Sequence, residues 1–189
     1  MNGLECIYPS IYSSDHLRLL EEMRWVETEG FSHLHVDIQD SSLGLNLSFG
    51  MKVVRGLAAL TSMKLQVHLM VYDPLPFVEQ LSELSQVDEV LFHPGTVRYP
   101  GVVLDRIHKM GARAGFALTP SENPAELDYY KRELESVLVW TGEGGMGAFN
   151  PGSLAKIRRA RSIFGDGVCV FTDGDMNGKT IQRVRAAGA

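Results

Sequence analysis

Apolar, strand-like runs alternate with helix-patterned segments along the whole chain, and this rhythm limits the possible folds more than any other feature. Seven such runs are visible: LECIYPSI, HLHVDI, LQVHLMV, DEVLFHP, RAGFALT, SVLVWT and GVCVFTD. The segments between them place apolar residues at helical intervals. In DHLRLLEEMRWVETEG, for example, Asp15 is a candidate N-cap and Gly30 a stop signal. Strict alternation predicts a parallel sheet covered by helices.

The number of units indicates a TIM-type (β/α) barrel. Each strand–helix unit spans roughly 27 residues, and about seven units fit the chain, whereas a closed barrel needs eight. The chain stops at VRAAGA, where an eighth strand would begin. We therefore expect either a truncated chain or an incomplete or open barrel, with a doubly wound sheet as the structural alternative. No linker or shift of composition interrupts the pattern, so residues 1–189 are expected to form one domain.

Composition excludes several classes of function. The formal net charge is −5, and the charges are dispersed, so no basic block suggests a nucleic-acid partner. No apolar run approaches membrane-spanning length, and the N-terminus lacks the pattern of a signal peptide. Cys6 and Cys169 are too few for a disulfide framework and are expected to be small buried hydrophobes. A cytoplasmic location is the resulting prediction.

Four side chains suited to metal binding stand at the ends of predicted strands. His35 and Asp37 end the second strand and share one of its faces, His68 lies near the end of the third, and Asp173 ends the seventh. Active sites of parallel barrels form at these carboxyl ends, so the four should converge. Two histidines and two aspartates suit zinc, iron(II), manganese or cobalt. For His35 and Asp37 alone, a polar strand end in solvent is the competing interpretation.

Two further features lie at the same end of the predicted barrel. The glycine-rich run TGEGGMGAF follows the sixth strand and precedes a helix, and the backbone N–H groups of Gly145 and Gly147 are candidate donors to a phosphate. His93 ends the fourth strand in LFHPG and is expected to line the mouth of the barrel.

Taken together, these motifs resemble the ribulose-phosphate 3-epimerase family over nearly the whole chain and in the family's order. YPSIYSSD resembles the opening strand, HVDIQD the H-V-D-x-x-D segment, HPG the fourth strand's H-P-E, and FTDGDMNGKTI the seventh strand's V-D-G-G segment. VHLMV matches as it stands, and GARAGFALTPSENPAEL resembles the region with N-P-x-T-P.

The resemblance implies a cytoplasmic carbohydrate isomerase of the pentose phosphate type. It would invert C3 of a ketose phosphate such as ribulose 5-phosphate or xylulose 5-phosphate through an enediolate, with Asp37 and Asp173 as the acid–base pair on opposite faces. It also implies one divalent metal ion (Zn, Fe(II), Mn or Co) and allows a homo-oligomer, although no interface is readable. The implied ligands are His35, Asp37, His68 and Asp173, and the implied substrate contacts are Ser10, His68, Met70, Gly145, Gly147 and Gly174.

Several residues depart from the family pattern. Gln39 and Trp140 stand where methionines are usual, DSSLGLN replaces the usual loop after Asp40, and the glycine-rich loop is about two residues shorter. Asp175 replaces a glycine beside the expected phosphate, where a carboxylate costs on the order of 1 kcal/mol or more. The metal and acid–base residues are thus retained, whereas the phosphate and shielding residues are altered.

Two other functions compete with the epimerase. A catalytically impaired paralogue or sugar-binding barrel would keep the metal site without the phosphate site, and the altered Gln39 and Asp175 favour it. A decarboxylase on the same barrel ranks lower, because HVDIQD and VHLMV contain no lysine.

Overall fold

In the described part of the chain, six parallel strands form one curled sheet, a half-barrel whose strand order follows the sequence. The computed structural model describes residues 6–44, 46–143 and 147–189. Every pair of neighbouring strands is parallel. The order never reverses, as it would in a doubly wound sheet, so the barrel prediction holds. The strands are β1 (His33–Gln39), β2 (Lys64–Met70), β3 (Val87–Phe92), β4 (Arg113–Leu118), β5 (Ser136–Trp140) and β6 (Cys169–Asp173).

Helices connect the strands and cover the convex face of the sheet. They are α1 (Leu19–Thr28), α2 (Met51–Leu60), α3 (Leu75–Leu81), α4 (Pro100–Lys109), α5 (Ser153–Phe164) and α6 (Gly178–Ala187), with 3-10 segments at Ile11–Ser13, His16–Arg18, Pro94–Thr96 and Pro124–Glu133. None of the helices in the described part of the chain has the length and apolar character needed to cross a membrane.

Two predictions about individual helices differ in detail from the structure. Asp15 does act as an N-cap, since its side chain accepts a hydrogen bond from the backbone N–H of Leu17 (3.0 Å), but it caps the 3-10 turn that precedes α1. The segment NPAELDYYKREL forms a 3-10 helix instead of an α-helix. Its aromatic and aspartate residues have only modest α-helix propensity, which is consistent with this difference.

In the described part of the first predicted strand, from residue 6 onwards, pairing with β1 is limited to one bridge. Ser10 forms a single parallel bridge with β1 at His35, and the carbonyl oxygen of Pro9 accepts a hydrogen bond from the His35 N–H (2.8 Å). Proline has no N–H to donate, so the ladder cannot extend through Pro9 in the ordinary way. The segment nevertheless brings Ser10 beside the inner face of β1.

The expectation that both cysteines are buried was wrong. Cys6 and Cys169 are free and exposed. Cys169 opens β6, the last strand of the described sheet, which pairs on only one side, with β5. An edge position gives the side chain less cover than the central strands provide.

Successive side chains along a strand point alternately into an apolar core and into a polar interior. On β2, Leu65, Val67 and Leu69 point into the large apolar core under the helices. Gln66 and His68 lie on the opposite, concave face and are fully buried there. Since successive side chains of a strand point to opposite faces, this pattern aims the polar residues into the barrel.

Candidate active site

The four predicted ligand residues meet at the carboxyl ends of β1, β2 and β6. His35, Asp37, His68 and Asp173 each offer one ligand atom, and these four atoms all lie within 4.8 Å of one another. Register explains part of this meeting, because Asp37 and His68 are directly paired on β1 and β2. Asp173 reaches them from β6, at the other end of the strand order, because the sheet curls.

Asp37 is the centre of the hydrogen-bond network. Its Oδ1 lies 3.1 Å from His35 Nε2 and 3.1 Å from His68 Nδ1. Its Oδ2 accepts a hydrogen bond from Ser10 Oγ (2.7 Å), and its backbone carbonyl accepts one from Ser48 Oγ (2.6 Å). Ser10, expected to contact the substrate, is therefore in contact with the carboxylate of Asp37.

Burial and neighbouring charges shift the pKa values of the two carboxyl groups in opposite directions. Burial and the charge of Asp37 raise the pKa of Asp173. Burial also acts to raise the pKa of Asp37, but the charges and hydrogen bonds of His35 and His68 outweigh it, so this pKa is lowered. One carboxylate is thus held ionised while the other is biased towards the protonated form, the pattern expected of a base and an acid.

The two histidines also differ. Desolvation lowers the pKa of His35, but Asp37 overcomes this effect and raises the pKa to about 9. Burial lowers the pKa of His68. Two imidazole nitrogens and two carboxylate oxygens at this spacing fit a divalent transition metal, and a cation would relieve the repulsion between the two carboxylates.

His93 is more closely involved than sequence reasoning indicated. It is fully buried, and its Nε2 lies 3.0 Å from His68 Nε2. Its ring also packs against Trp140, with 4.7 Å between the ring centroids. The position of His93 at a strand end was the available signal, but its contact with His68 depends on side-chain packing that the sequence does not reveal.

A cleft of about 650 Å³ opens beside the cluster, lined in part by His93, Trp140 and Glu122. Gln39, on the inner face of β1, donates from Nε2 to Met70 Sδ (3.6 Å). Within the described parts of the chain, Gln39 Oε1 and Trp140 Nε1 are buried without a hydrogen-bond partner. The two residues that replace the family's methionines therefore place polar atoms near His35, Asp37, His68 and Asp173, which we call the metal-type cluster.

The structure describes two of the three glycines predicted to contact phosphate. Gly145 lies outside the described residues. The N–H of Gly147 donates to the carbonyl of Glu143 (3.0 Å), and Gly174 adopts a φ of +106° directly after Asp173. Asp175 Oδ2 accepts a hydrogen bond from the N–H of Phe149 (3.2 Å). The phosphate role of the glycines stays a prediction, and a carboxylate now lies between the two loops concerned.

Comparison with known proteins agrees with this geometry. The model of the Ribulose-phosphate 3 epimerase family matches residues 6–189. The ribulose-phosphate 3-epimerase of Methanocaldococcus jannaschii is 32% identical over 185 residues, covering 95% of this chain and 78% of the relative. That of Mycobacterium tuberculosis is 33% identical over 193 residues, covering 98% and 82%.

Solved structures support the fold alone. A mutant form of the tryptophan synthase α-subunit of Pyrococcus furiosus superimposes with a TM-score of 0.70 at 16% sequence identity, covering 96% of this chain and 82% of the other.

Proposed function

The chain belongs to the ribulose-phosphate 3-epimerase family, and from this premise we propose that it inverts C3 of a pentulose phosphate by two-base proton transfer with one bound divalent metal ion. The observation that carries the proposal is the meeting of His35, Asp37, His68 and Asp173 within 4.8 Å, with opposite pKa shifts for the two carboxyl groups.

The same four side chains would hold the metal ion, which is Zn, Fe(II), Mn or Co in this proposal. When bound, the ion supplies Lewis-acid stabilisation of the oxygen that becomes negative as C3 loses its proton, an effect worth several kcal/mol. A carbon acid beside a ketone is weak, and so is a carboxylate base, so the oxygen that becomes negative requires stabilisation.

The two aspartates divide the proton transfer. Asp37, held ionised by His35 and His68, takes the C3 proton from one epimer. Asp173, whose pKa is raised, delivers a proton to the opposite face of the enediolate. In the reverse direction their roles exchange. Their positions on β1 and β6, the two ends of the strand order, support an approach from opposite sides of the substrate.

The remaining contacts complete the proposed complex. Ser10 orients the carboxylate of Asp37 through its hydrogen bond, and Met70 lies on the inner face of β2 beside Gln39. Gly145, Gly147 and Gly174 are proposed to receive the phosphate. We expect a cytoplasmic enzyme with a small sugar phosphate as substrate, and the family resemblance allows a homo-oligomer.

The test is exchange of the C3 proton with solvent deuterium, measured by NMR on ribulose 5-phosphate and xylulose 5-phosphate separately. The wild-type protein should label both epimers. Asp37→Asn and Asp173→Asn should each reduce net epimerisation by about 10²–10⁴-fold. Each variant should retain residual exchange for only one epimer, and for a different one. No label from the wild-type protein on either epimer would contradict the proposal.

Metal content is the second arm of the test. Purified wild-type protein should contain about one divalent ion per chain, and His68→Ala should contain much less, since it loses one of four ligands. Equal absence of metal in both proteins would refute the metal assignment.

A sugar-binding barrel without epimerase activity is the second candidate. It is favoured by Asp175, whose carboxylate accepts the Phe149 N–H between the two loops proposed to receive phosphate. Binding of an unphosphorylated pentulose, together with no C3 exchange on the sugar phosphates, would establish this candidate over the enzyme.

A further inference from the structure

A row of buried polar side chains lies beneath the metal-type cluster, inside the sheet. Gln66 and Glu89 are 1% and 0% exposed, and both belong to the concave face. Glu89 Oε1 is buried without a hydrogen-bond partner among the residues that the structure describes. Burying an amide and an incompletely paired carboxylate lowers stability relative to an apolar core, so these residues require another explanation.

The row crosses four neighbouring strands in register. His35 on β1 pairs with Gln66 on β2, Gln66 pairs with Glu89 on β3, and Glu89 pairs with Arg113 on β4. The side-chain contacts follow the same path. His35 Nδ1 lies 2.6 Å from Gln66 Oε1, Gln66 Nε2 donates to Glu89 Oε2 (2.6 Å), and Arg113 Nη2 lies 3.4 Å from Glu89 Oε2.

The chemistry of these groups fixes the direction of each hydrogen bond. Glu89 Oε2 faces the guanidinium of Arg113, which only donates, so Oε2 acts as an acceptor and the amide of Gln66 turns its NH₂ towards it. Its carbonyl oxygen then faces His35, and a carbonyl also only accepts. His35 must therefore carry a proton on Nδ1. Arg113, which also donates to Asp88 Oδ2 (2.7 Å), places a guanidinium donor beside Glu89 Oε2.

We propose that Gln66 and Glu89 are positioning residues, which hold His35 in the tautomer and ring orientation that direct Nε2 into the cluster as a metal ligand. This inference rests on the metal site of the proposed function. Nε2 lies 3.1 Å from Asp37 Oδ1, so it already faces the other ligands. Outer partners of this kind orient metal-binding histidines, and their loss typically weakens metal affinity 10–100-fold.

The sharpest variant is Glu89→Gln, because it is isosteric and touches no metal ligand. The new amide can present either its oxygen or its NH₂ to Gln66. The amide of Gln66 is then free to turn over and offer NH₂ to His35 Nδ1, which selects the opposite tautomer. Gln66→Leu removes the acceptor altogether.

Ser136→Ala is the matched control. Ser136 is a fully buried polar residue of β5 on the same concave face, outside the row, and its Oγ makes no hydrogen bond within the described residues. If any change in the buried interior weakened metal binding, Ser136→Ala would weaken it as well. If the effect acts through His35, Ser136→Ala should leave metal binding unchanged.

The measurement is the dissociation constant for Co²⁺ by calorimetry, on metal-free proteins whose folding is checked by circular dichroism. We expect Glu89→Gln and Gln66→Leu to bind Co²⁺ about 10–100-fold more weakly than the wild type, and Ser136→Ala to bind it equally well. Unchanged Co²⁺ affinity in Glu89→Gln, or an equal loss in Ser136→Ala, would overturn the inference.

A measurement on the wild-type protein keeps the inference testable if the variants fail to fold. In the Zn²⁺-loaded protein, ¹⁵N NMR should show His35 protonated on Nδ1 and coordinated through Nε2, and the reverse assignment would refute the positioning role. Absence of any metal binding by the wild type would instead refute the metal part of the proposed function.

Discussion

Replacing Asp173 by asparagine should raise the stability of the metal-free protein and abolish its stabilisation by metal. Asp173 lies within 4.8 Å of Asp37, and its raised pKa means that the fold disfavours its ionised form. Asparagine keeps the size of the side chain and removes the charge. The two effects have opposite signs, which makes the prediction specific to a cluster built to hold a cation.

The size of the gain follows from the geometry. Two unit charges 4.8 Å apart repel by about 3.5 kcal/mol at an effective dielectric constant of about 20. Attraction between Asp173 and the imidazoles of His35 and His68 offsets part of this repulsion. We expect a net gain of about 1–2 kcal/mol in the free energy of unfolding, or roughly 2–8 °C in melting temperature for a chain of this length.

The gain should also depend on pH. A carboxyl group with a raised pKa in the folded state binds its proton more tightly there than in the unfolded chain. The wild type therefore loses stability as pH rises from the ordinary carboxyl pKa of 3.8 towards the raised pKa of Asp173. Asp173→Asn does not share this loss, so the difference between the two proteins should be absent below about 3.8 and should grow as pH rises towards the raised pKa of Asp173.

Urea unfolding of EDTA-treated protein, followed by tryptophan fluorescence, gives the first quantity. Repeating it with Co²⁺ at about 100 times its dissociation constant should stabilise the wild type by about 2.7 kcal/mol and Asp173→Asn by much less. Asp175→Asn is the control, since that carboxylate lies two residues away and accepts a backbone N–H instead of facing Asp37. A metal-free Asp173→Asn protein less stable than the wild type would refute the reasoning.

Three further predictions concern other parts of the molecule. Glu27 Oε1 accepts hydrogen bonds from Ser62 that lower the pKa of Glu27, so Glu27→Gln should lose about 1 kcal/mol near neutral pH, and urea unfolding should show this difference vanish as pH falls below about 4.5. Ser10→Ala removes a hydrogen bond to the Asp37 carboxylate worth about 1.5–3 kcal/mol, so kcat/KM in the epimerase assay should fall roughly 10–100-fold, and an unchanged value would contradict the role. Phe92→Ala should lower the free energy of unfolding by about 3–5 kcal/mol, because Phe92 is fully buried in the large apolar core under the helices. A loss below about 1 kcal/mol, measured by urea unfolding, would contradict that packing.

The sequence was sufficient to predict the parallel sheet and the meeting of the four candidate ligand residues. Both depend on rules that hold within one strand–helix unit or between successive units. A helix between two strands makes them parallel, and parallel strands present their carboxyl ends at one edge. His35 and Asp37 were therefore placed with His68 and Asp173 without knowledge of any side-chain contact, and the structure brings all four together.

The residues around this cluster could not be placed in the same way, because their contacts depend on register. The pairing of β2 with β3 shifts between Leu65 and Gln66, and the shift sets Gln66 opposite Glu89. No sequence pattern predicts such a shift in register. The burial of His93 against His68 has the same origin, since it depends on how the ends of β2 and β3 align. The exposure of Cys169 follows from its position on an edge strand.

The alternation within LQVHLMV connects these observations into one physical argument. Leu65, Val67 and Leu69 face the helices and are buried in the large apolar core. Gln66 and His68, between them, face the barrel interior, where polar groups are costly. Apolar burial on the outer face must therefore offset the free-energy cost of burying polar groups on the inner face. Substitutions on the outer face should then act mainly on unfolding, and those on the inner face mainly on metal binding and proton transfer, even though the two sets of residues are adjacent in sequence.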